Sequence, residues 1–248
     1  MYIYRYRELK EHSIQCLTKN FINGSLFGCF FDSDSGEMNY AVSKDFIRKM
    51  NASKEDAEAF ANEIINNTKE NYYLSCFTLN EPTENSEEWN MYAGGNGFCL
   101  AYDFDKINKL VKKEINDCGR VLLFGKVNYS NEPFLLDPIG EELVRLVKLH
   151  HISNVDDVSK IKHIDAAKGI GSYACQTFFH KAMQYSRFNE VRLVELSVTR
   201  REETNPPYKN KMLVAKPISI IIRNAYISKD YSRLIEFASK NNIPIKYI

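Results

Sequence analysis

Two arginines near the start of the chain have the spacing of an anion-binding pair. In Tyr4-Arg5-Tyr6-Arg7, aromatic and charged residues alternate. Because successive side chains of a strand point to opposite faces, Arg5 and Arg7 should share one face. Two guanidiniums are costly to bury without an anion, and their fixed forks suit a phosphate or diphosphate. The alternatives are an edge strand with solvated arginines, or pairing with a core carboxylate.

A glutamate later in the chain is suited to glycosidic chemistry. Glu190 and Arg192 share a face of a predicted strand, and Lys181 precedes them. Cleavage of a glycosidic bond passes through an oxocarbenium-like state, so it requires a carboxylate that binds a sugar hydroxyl and stabilises the developing positive charge. Glu190 could have this role, or it could form a simple ion pair with Arg192.

The segment Ser75-Cys76-Phe77-Thr78 carries two hydroxyls on a predicted strand. Ser75 and Thr78 could position a ribose or a backbone segment, or they could be ordinary residues at a strand end. A serine nucleophile is not indicated, because the G-x-S-x-G elbow is absent.

Other kinds of site find less support. Residues 94–97 contain three glycines but lead into a strand, whereas phosphate-binding loops lead into a helix, so we predict a hairpin turn there. The six cysteines lack CxxC spacing, and several lie in apolar runs, which favours buried reduced thiols over a zinc site or disulfides. The histidines lack HExxH spacing, so we expect no metal.

The elements that position these residues are predicted to be a mixture of strands and helices. The predicted strands are 2–7, 25–31, 72–79, 98–104, 121–129, 190–198, 217–227 and 243–248. The predicted helices are 11–19, 51–69 (with Ser53 as N-cap), 105–114, 140–162, 172–185 and 231–240. Because no βαβ phosphate fingerprint occurs, we predict a single α+β domain over residues 1–248, with a mixed, mainly antiparallel sheet core and surrounding helices.

The composition is that of an ordinary globular protein. Hydrophobic residues make up 44% of the 248 residues, and 33 Lys and Arg nearly balance 32 Asp and Glu. This balance does not produce the strong field of many nucleic-acid or membrane binders, although a local basic patch is compatible with it. No stretch approaches the roughly 18 apolar residues of a membrane span, and the start of the chain lacks the apolar region of a signal peptide. We expect a cytoplasmic protein with no membrane partner.

Several short motifs occur in an order typical of one bacterial family. Residues 4–7 resemble its Tyr-Lys-Tyr-Arg opening, and residues 75–78 are similar to its Cys-Phe-Ser strand. Residues 89–93 resemble its Met-Trp-x-x-Tyr-Ala motif. Residues 97–100 and 102–103 are similar to its Gly-Phe-Cys-Ile-x-Phe-Asp motif. The family is DUF2971, a group of bacterial domains of unknown function.

Later residues extend this resemblance. Lys181, Tyr185, Glu190 and Arg192 match the family's late Lys, Trp, Glu and Arg pattern. The family's Asn-Asp-Pro-Phe-Glu loop has no counterpart after Phe31. By its order of Arg, Ser and Glu on successive strands, the family in turn resembles ADP-ribosyltransferase folds.

The second resemblance implies an NAD-dependent ADP-ribosyltransferase-like enzyme that cleaves the nicotinamide glycosidic bond. Glu190 would then be catalytic, bonding the ribose hydroxyl and stabilising the oxocarbenium. Arg5 or Arg7 would hold the NAD diphosphate or the nicotinamide ribose. The resemblance also implies a role in a bacterial defence or toxin system.

The remaining predicted site residues would support the nucleotide. Ser75 and Thr78 would brace the site, and Tyr92 would stack on nicotinamide. Lys181 and Arg192 complete the predicted substrate-binding set.

Phe188 bears on the acceptor of the ADP-ribose. It stands where a glutamate is expected two residues before Glu190, and in relatives that modify arginine an acid there helps to activate the acceptor. An arginine target is therefore disfavoured, while a nucleobase, another group of a nucleic acid or protein, or hydrolysis of NAD stays open.

Two other functions are compatible with the sequence. One is a non-catalytic module that binds a nucleotide or acts as a toxin-system partner. The other is a metal-independent ribonuclease that uses Glu190, Arg192 and a histidine such as His180.

Overall fold

The computed structural model of the protein describes most of the predicted elements. The described residues are 1–26, 40–41, 44, 47–48, 53–56, 58–59, 72–118, 120, 122–132, 134–135, 178–196, 208–223 and 231–248. The predicted helix 140–162, the loop after Phe31 and residues 27–31 of the second predicted strand lie outside them.

Thirteen strands occur within the described residues, numbered in chain order. They are β1 (Tyr2–Arg7), β2 (Phe21–Leu26), β3 (Tyr40–Ala41), β4 (Tyr72–Thr78), β5 (Phe98–Asp103), β6 (Leu122–Lys126), β7 (Asn128–Tyr129), β8 (Phe134–Leu135), β9 (His180–Lys181), β10 (Glu190–Leu196), β11 (Tyr208–Val214), β12 (Ser219–Ile222) and β13 (Ile245–Tyr247). Nine of them form one sheet in the order β11-β2-β4-β1-β5-β12-β13, with β10 between β4 and β6 as a branch. Its pairings are antiparallel except for β12 with β13. The predicted α+β class with a mixed, mainly antiparallel sheet is confirmed.

Helices pack around this sheet. They are α1 (Glu11–Thr18), α2 (Glu88–Tyr92), α3 (Phe104–Cys118), a 3₁₀ helix (Met183–Phe188) and α4 (Ser232–Lys240). In α3 the buried residues Ile107 and Val111 are four apart, which places them on one face towards the core. Residues 54–56 of the predicted helix 51–69 are also helical. The prediction that Ser53 is the N-cap of this helix is confirmed, since the Asp56 N–H donates to Ser53 Oγ at 3.0 Å.

Strand β4 is the branch point of the sheet. Strand β10 pairs along its whole length and occupies one edge. On the other edge, β2 pairs near its start, where Ser25 faces Leu74. Strand β1 pairs only near its end, where Tyr4 faces Thr78. In the described part of the chain, residues 75–77 therefore have no strand partner on this edge, and a gap opens there between β1 and β2.

The two faces of β1 have different environments, as its alternation predicts. Tyr4 and Tyr6 pack in a small cluster with Trp89, and the rings of Tyr6 and Trp89 meet edge-on at 4.8 Å. On the opposite face, the guanidinium of Arg5 lies over the Phe77 ring, which belongs to the main core. The register of β1 thus directs its arginines towards the gap beside β4.

Two predicted elements are wrong. In the described part of the predicted helix 172–185, only Phe178 is α-helical, residues 180–181 form β9, and residues 183–185 belong to the 3₁₀ helix. Here β7 pairs with β9: the Asn128 N–H donates to Phe179 O at 2.7 Å and the Ser130 N–H to Lys181 O at 3.0 Å. These long-range hydrogen bonds override the local helical pattern. Residues 94–97 form no hairpin, because they connect α2 to β5.

Neither β11 nor the two-residue strands β3 and β8 were predicted from the sequence. Strand β11 pairs with β2, with a register shift between Lys209 and Leu213, and it lies at the end of the sheet. Lysines and an asparagine interrupt its apolar pattern, as edge strands allow.

Gly97 lies where two backbone segments approach closely. A Cβ at this position would lie 2.1 Å from Arg7 O and 2.5 Å from Ala93 O. We expect Gly97→Ala to lower the free energy of unfolding, measured in urea, by at least about 2 kcal/mol. Gly125→Ala is the matched control, because its Cβ would meet only the Phe179 ring at 3.5 Å, and its cost should stay below about 1 kcal/mol. Equal losses in the two variants would contradict the steric explanation.

Candidate functional site

A cleft of about 390 Å³ occupies the gap beside β4, a size typical of small-molecule sites. Its lining residues come from β1, β2, β4, α2, β9, the 3₁₀ helix and β10. They are Tyr4, Arg5, Tyr6, Arg7, Ser25, Leu74, Ser75, Cys76, Phe77, Thr78, Glu88, Met91, Tyr92, Lys181, Phe188 and Glu190. The structure therefore brings every predicted site residue except Arg192 to one cavity.

Arg5 places a buried positive charge in this cleft. It is 7% exposed, its Nη2 donates to Asn23 O at 2.7 Å, and its Cζ lies 5.7 Å from the Phe77 ring centroid. Burial and, next, the charge of Arg7 lower the pKa of Arg5 from its ordinary value to about 9. The guanidinium is thus still protonated at neutral pH.

Arg7 adds a second cation on the same face. Its Nη2 donates to Ser13 Oγ at 3.3 Å, and burial lowers the pKa of Arg7. Among the described residues, no carboxylate forms a salt bridge with Arg5 or Arg7. Strand β1 is also an interior strand. In the part of the chain that the structure describes, neither solvated edge arginines nor a core ion pair therefore accounts for these two residues.

Glu190 is buried on the β10 side of the cleft, and one of its oxygens is held in place. Oε2 accepts a hydrogen bond from Arg192 Nη2 at 2.9 Å and lies 3.5 Å from Lys181 Nζ. Its backbone N–H donates to Tyr129 Oη at 2.7 Å. Within the described ranges, Oε1 accepts no hydrogen bond from the protein. That oxygen is available to a ligand hydroxyl.

Arg192 lies behind Glu190 rather than in the cleft wall. It is 1% exposed, and its Nη1 donates to Phe178 O at 2.8 Å. The predicted substrate-binding role of Arg192 does not fit this position. Its contacts with Phe178 and Glu190 make it a positioning residue that fixes the carboxylate.

The two strand hydroxyls have different environments. Thr78 Oγ1 donates to Phe188 O at 2.5 Å and accepts from the Asn80 N–H at 3.0 Å, so it ties β4 to the start of β10. Ser75 is 2% exposed, and its Oγ has no hydrogen-bond partner among the described residues. Buried hydroxyls are normally satisfied, so Ser75 Oγ is free to bond a ligand in the cleft.

Aromatic residues line another part of the cleft. Tyr92 is 43% exposed, and its ring meets the buried ring of Phe188 at 6.3 Å with an interplanar angle of 75°. A planar group could contact the exposed part of Tyr92.

Glu88 is a lining residue that sequence reasoning missed. It begins α2, is 6% exposed, and accepts a hydrogen bond from Asn80 Nδ2 at 3.3 Å. In the sequence it follows Glu87 within a polar loop, and nothing in that pattern distinguishes a buried carboxylate from a solvated one. Only the packing of α2 shows the difference.

Of the described histidines and cysteines, Cys76, which is half-buried, lines the cleft, and the others do not. His180 is buried, burial lowers its pKa, and it is not among the residues that line the cleft. Of the described cysteines, Cys16 and Cys99 are buried and free, as predicted, whereas Cys118 is exposed. Where the structure describes side chains, no three His, Cys, Asp or Glu residues are grouped as a metal ion would require.

Comparisons with known proteins add no family to this geometry. Among the described residues, no helix has the length and apolar character needed to cross a membrane. No protein-family model matches the chain, and neither a curated protein nor a solved structure matches it significantly.

Proposed function

We propose that the cleft binds NAD and that the protein cleaves its nicotinamide glycosidic bond, passing ADP-ribose to an acceptor or to water. One observation carries this proposal. In the described part of the chain, the buried Arg5 and the half-buried Arg7 have no carboxylate partner, and one oxygen of the buried Glu190 accepts no hydrogen bond; all three residues line the same cavity. Such a cleft complements a ligand that has an anionic part and a hydroxyl-bearing part that becomes positive during reaction.

The arginines account for the anionic part. Guanidiniums donate bidentate hydrogen bonds to diphosphate oxygens, and an anion would offset the cost of burying Arg5. Ser75 Oγ, without a partner in the described protein, supplies a further donor beside them. The donors of this part of the cleft therefore fit a dinucleotide diphosphate.

Glu190 accounts for the reacting part. Arg192 and Lys181 hold Oε2, which leaves Oε1 to accept a hydrogen bond from a ribose hydroxyl. NAD supplies a glycosidic bond to a cationic ring, whose cleavage leaves positive charge on the sugar. A preorganised carboxylate stabilises that charge in a site that excludes much of the water.

A non-catalytic nucleotide-binding module is the second candidate. The two cations on Oε2 favour it, because a carboxylate in such a network can be purely structural. A ribonuclease using His180 receives no comparable support, since His180 does not line the cleft. The defence or toxin context, which the motif resemblance implies, is part of the proposal.

Free nicotinamide separates these candidates. We expect the purified protein, incubated with NAD alone and with NAD plus cell extract, to release nicotinamide that chromatography can quantify. Stabilisation by NAD without any release would favour the binding module. RNA cleavage that does not depend on NAD would favour the ribonuclease instead.

A further inference from the structure

The proposed function leaves one buried carboxylate of the cleft unused. Glu88 is 6% exposed and lines the cavity together with Glu190. Within the described ranges it forms no salt bridge, and its side-chain hydrogen bond is the one from Asn80 Nδ2 at 3.3 Å. Carboxylates are rarely buried unless they are paired. This exception therefore points to a role towards a ligand.

Asn80 links Glu88 to the part of the chain that carries Glu190. Its Nδ2 also donates to Arg187 O at 2.6 Å, and its N–H donates to Thr78 Oγ1 at 3.0 Å. Thr78 faces Glu190 in the β4–β10 register. The positions of the two carboxylates are thus fixed through one hydrogen-bonded connection.

Contacts of α2 reinforce this connection. The Tyr92 ring packs edge-on against Phe188, and Glu87 forms an exposed ion pair with Arg187 at 3.2 Å. Helix α2 therefore packs against Arg187 and Phe188, which end the 3₁₀ helix just before Glu190. Glu88 reaches the cleft from α2, whereas Phe188 fills the position two residues before Glu190.

We infer that Glu88 is the general base that activates the acceptor in the proposed reaction, an inference that rests on that function. A lone pair of a neutral O–H or N–H acceptor, water included, forms the bond to the anomeric carbon. The carbon–nitrogen bond breaks, and its electron pair passes to the nicotinamide ring and neutralises it. The acceptor proton moves to the Glu88 carboxylate and then to solvent. Glu190 is held by two cations and stabilises the sugar, so the two carboxylates have separate roles.

Glu88→Gln tests this inference, because a glutamine oxygen can still accept from Asn80 while the base is lost. With saturating NAD, we expect kcat for nicotinamide release to fall by about 10²–10⁴-fold. The Kd for NAD, measured by calorimetry, should stay within about threefold, since general-base catalysis acts on kcat rather than on binding. The exposed neighbour provides the control, and Glu87→Gln should keep native kcat and Kd.

The possible results distinguish the proposed role of Glu88 from the proposed cleavage of NAD. No nicotinamide release by the native protein overturns both. Release by the native protein with an unchanged kcat in Glu88→Gln overturns the role of Glu88 and leaves the proposed function standing. A variant that loses NAD binding in proportion to activity makes Glu88 a binding residue. Should the glutamine variant fail to fold, Glu88→Asp decides: it keeps a carboxylate in a displaced position, so it should release nicotinamide at a reduced rate, and a native rate would overturn the inference.

Discussion

The Glu190→Gln protein is expected to release nicotinamide from NAD about 10²–10³-fold more slowly than the native protein. Glutamine keeps the shape of the side chain but lacks the charge that stabilises a positive sugar. The rate should be measured in single turnover with NAD in excess of its Kd, so that weaker binding does not imitate slower chemistry.

The structure adds a cost to this substitution. Arg192 is 1% exposed and donates to Glu190, so the variant removes a carboxylate that pairs with a buried guanidinium. Removing one partner of a buried pair destabilises a protein by about 3–5 kcal/mol. The fraction of folded protein must therefore be determined in the same buffer by urea unfolding.

Glu195→Gln is the matched control for this loss. Glu195 is also a buried carboxylate of β10, and its Oε1 accepts from Arg120 Nη2 at 2.6 Å and pairs with Lys209 Nζ at 2.9 Å, outside the cleft. This variant should lose stability while the folded protein keeps the native rate. Equal losses of rate in both variants would mean that Glu190 acts only through the fold.

Arg5→Met is expected to weaken the binding of ADP-ribose about 10- to 100-fold, because it removes a charged donor to the diphosphate. Arg187→Met, which changes an exposed arginine outside the cleft lining, should bind normally. Calorimetry on both variants gives the comparison. If Arg5→Met bound ADP-ribose with native affinity, the proposal that Arg5 binds the diphosphate would be wrong.

The same substitution should change how stability depends on pH. In the folded protein the pKa of Arg5 is about 9, well below the ordinary value of an arginine, which it takes in the unfolded state. Between these values the unfolded state binds more protons, so the contribution of Arg5 to stability rises with pH. We expect the free energy of unfolding of the native protein to increase relative to that of Arg5→Met from pH 8 to pH 10. A constant difference would contradict a buried, uncompensated guanidinium.

The sequence was sufficient where local periodicity determined the structure. Alternation along residues 2–7 predicted both β1 and the shared face of Arg5 and Arg7. The same reasoning predicted β4, β5 and β10, because these strands are long and rich in β-branched or aromatic residues.

The site itself depended on pairings that no local pattern encodes. The gap beside β4 exists because β1 and β2 share one edge of it, and this choice of partner is made between segments distant in sequence. Glu88 was missed because burial of α2 decides its environment. Arg192 was wrongly predicted to bind substrate. The alternation of side chains along a strand shows that Arg192 and Glu190 share a face, but it does not show that Arg192 is buried behind Glu190.

The β4–β10 register, which places Glu190 opposite Thr78, affects when the complete cleft can form during synthesis and folding. It joins residues about 110 positions apart, and closing so long a loop has an entropic cost that the pairing of β10 with β4 must offset. During synthesis the arginines of β1 emerge first and the carboxylate of β10 much later. A chain still on the ribosome would hold cations that attract a dinucleotide but no group to stabilise its cleavage. On the proposed function, cleavage of NAD would therefore begin only when β10 pairs with β4.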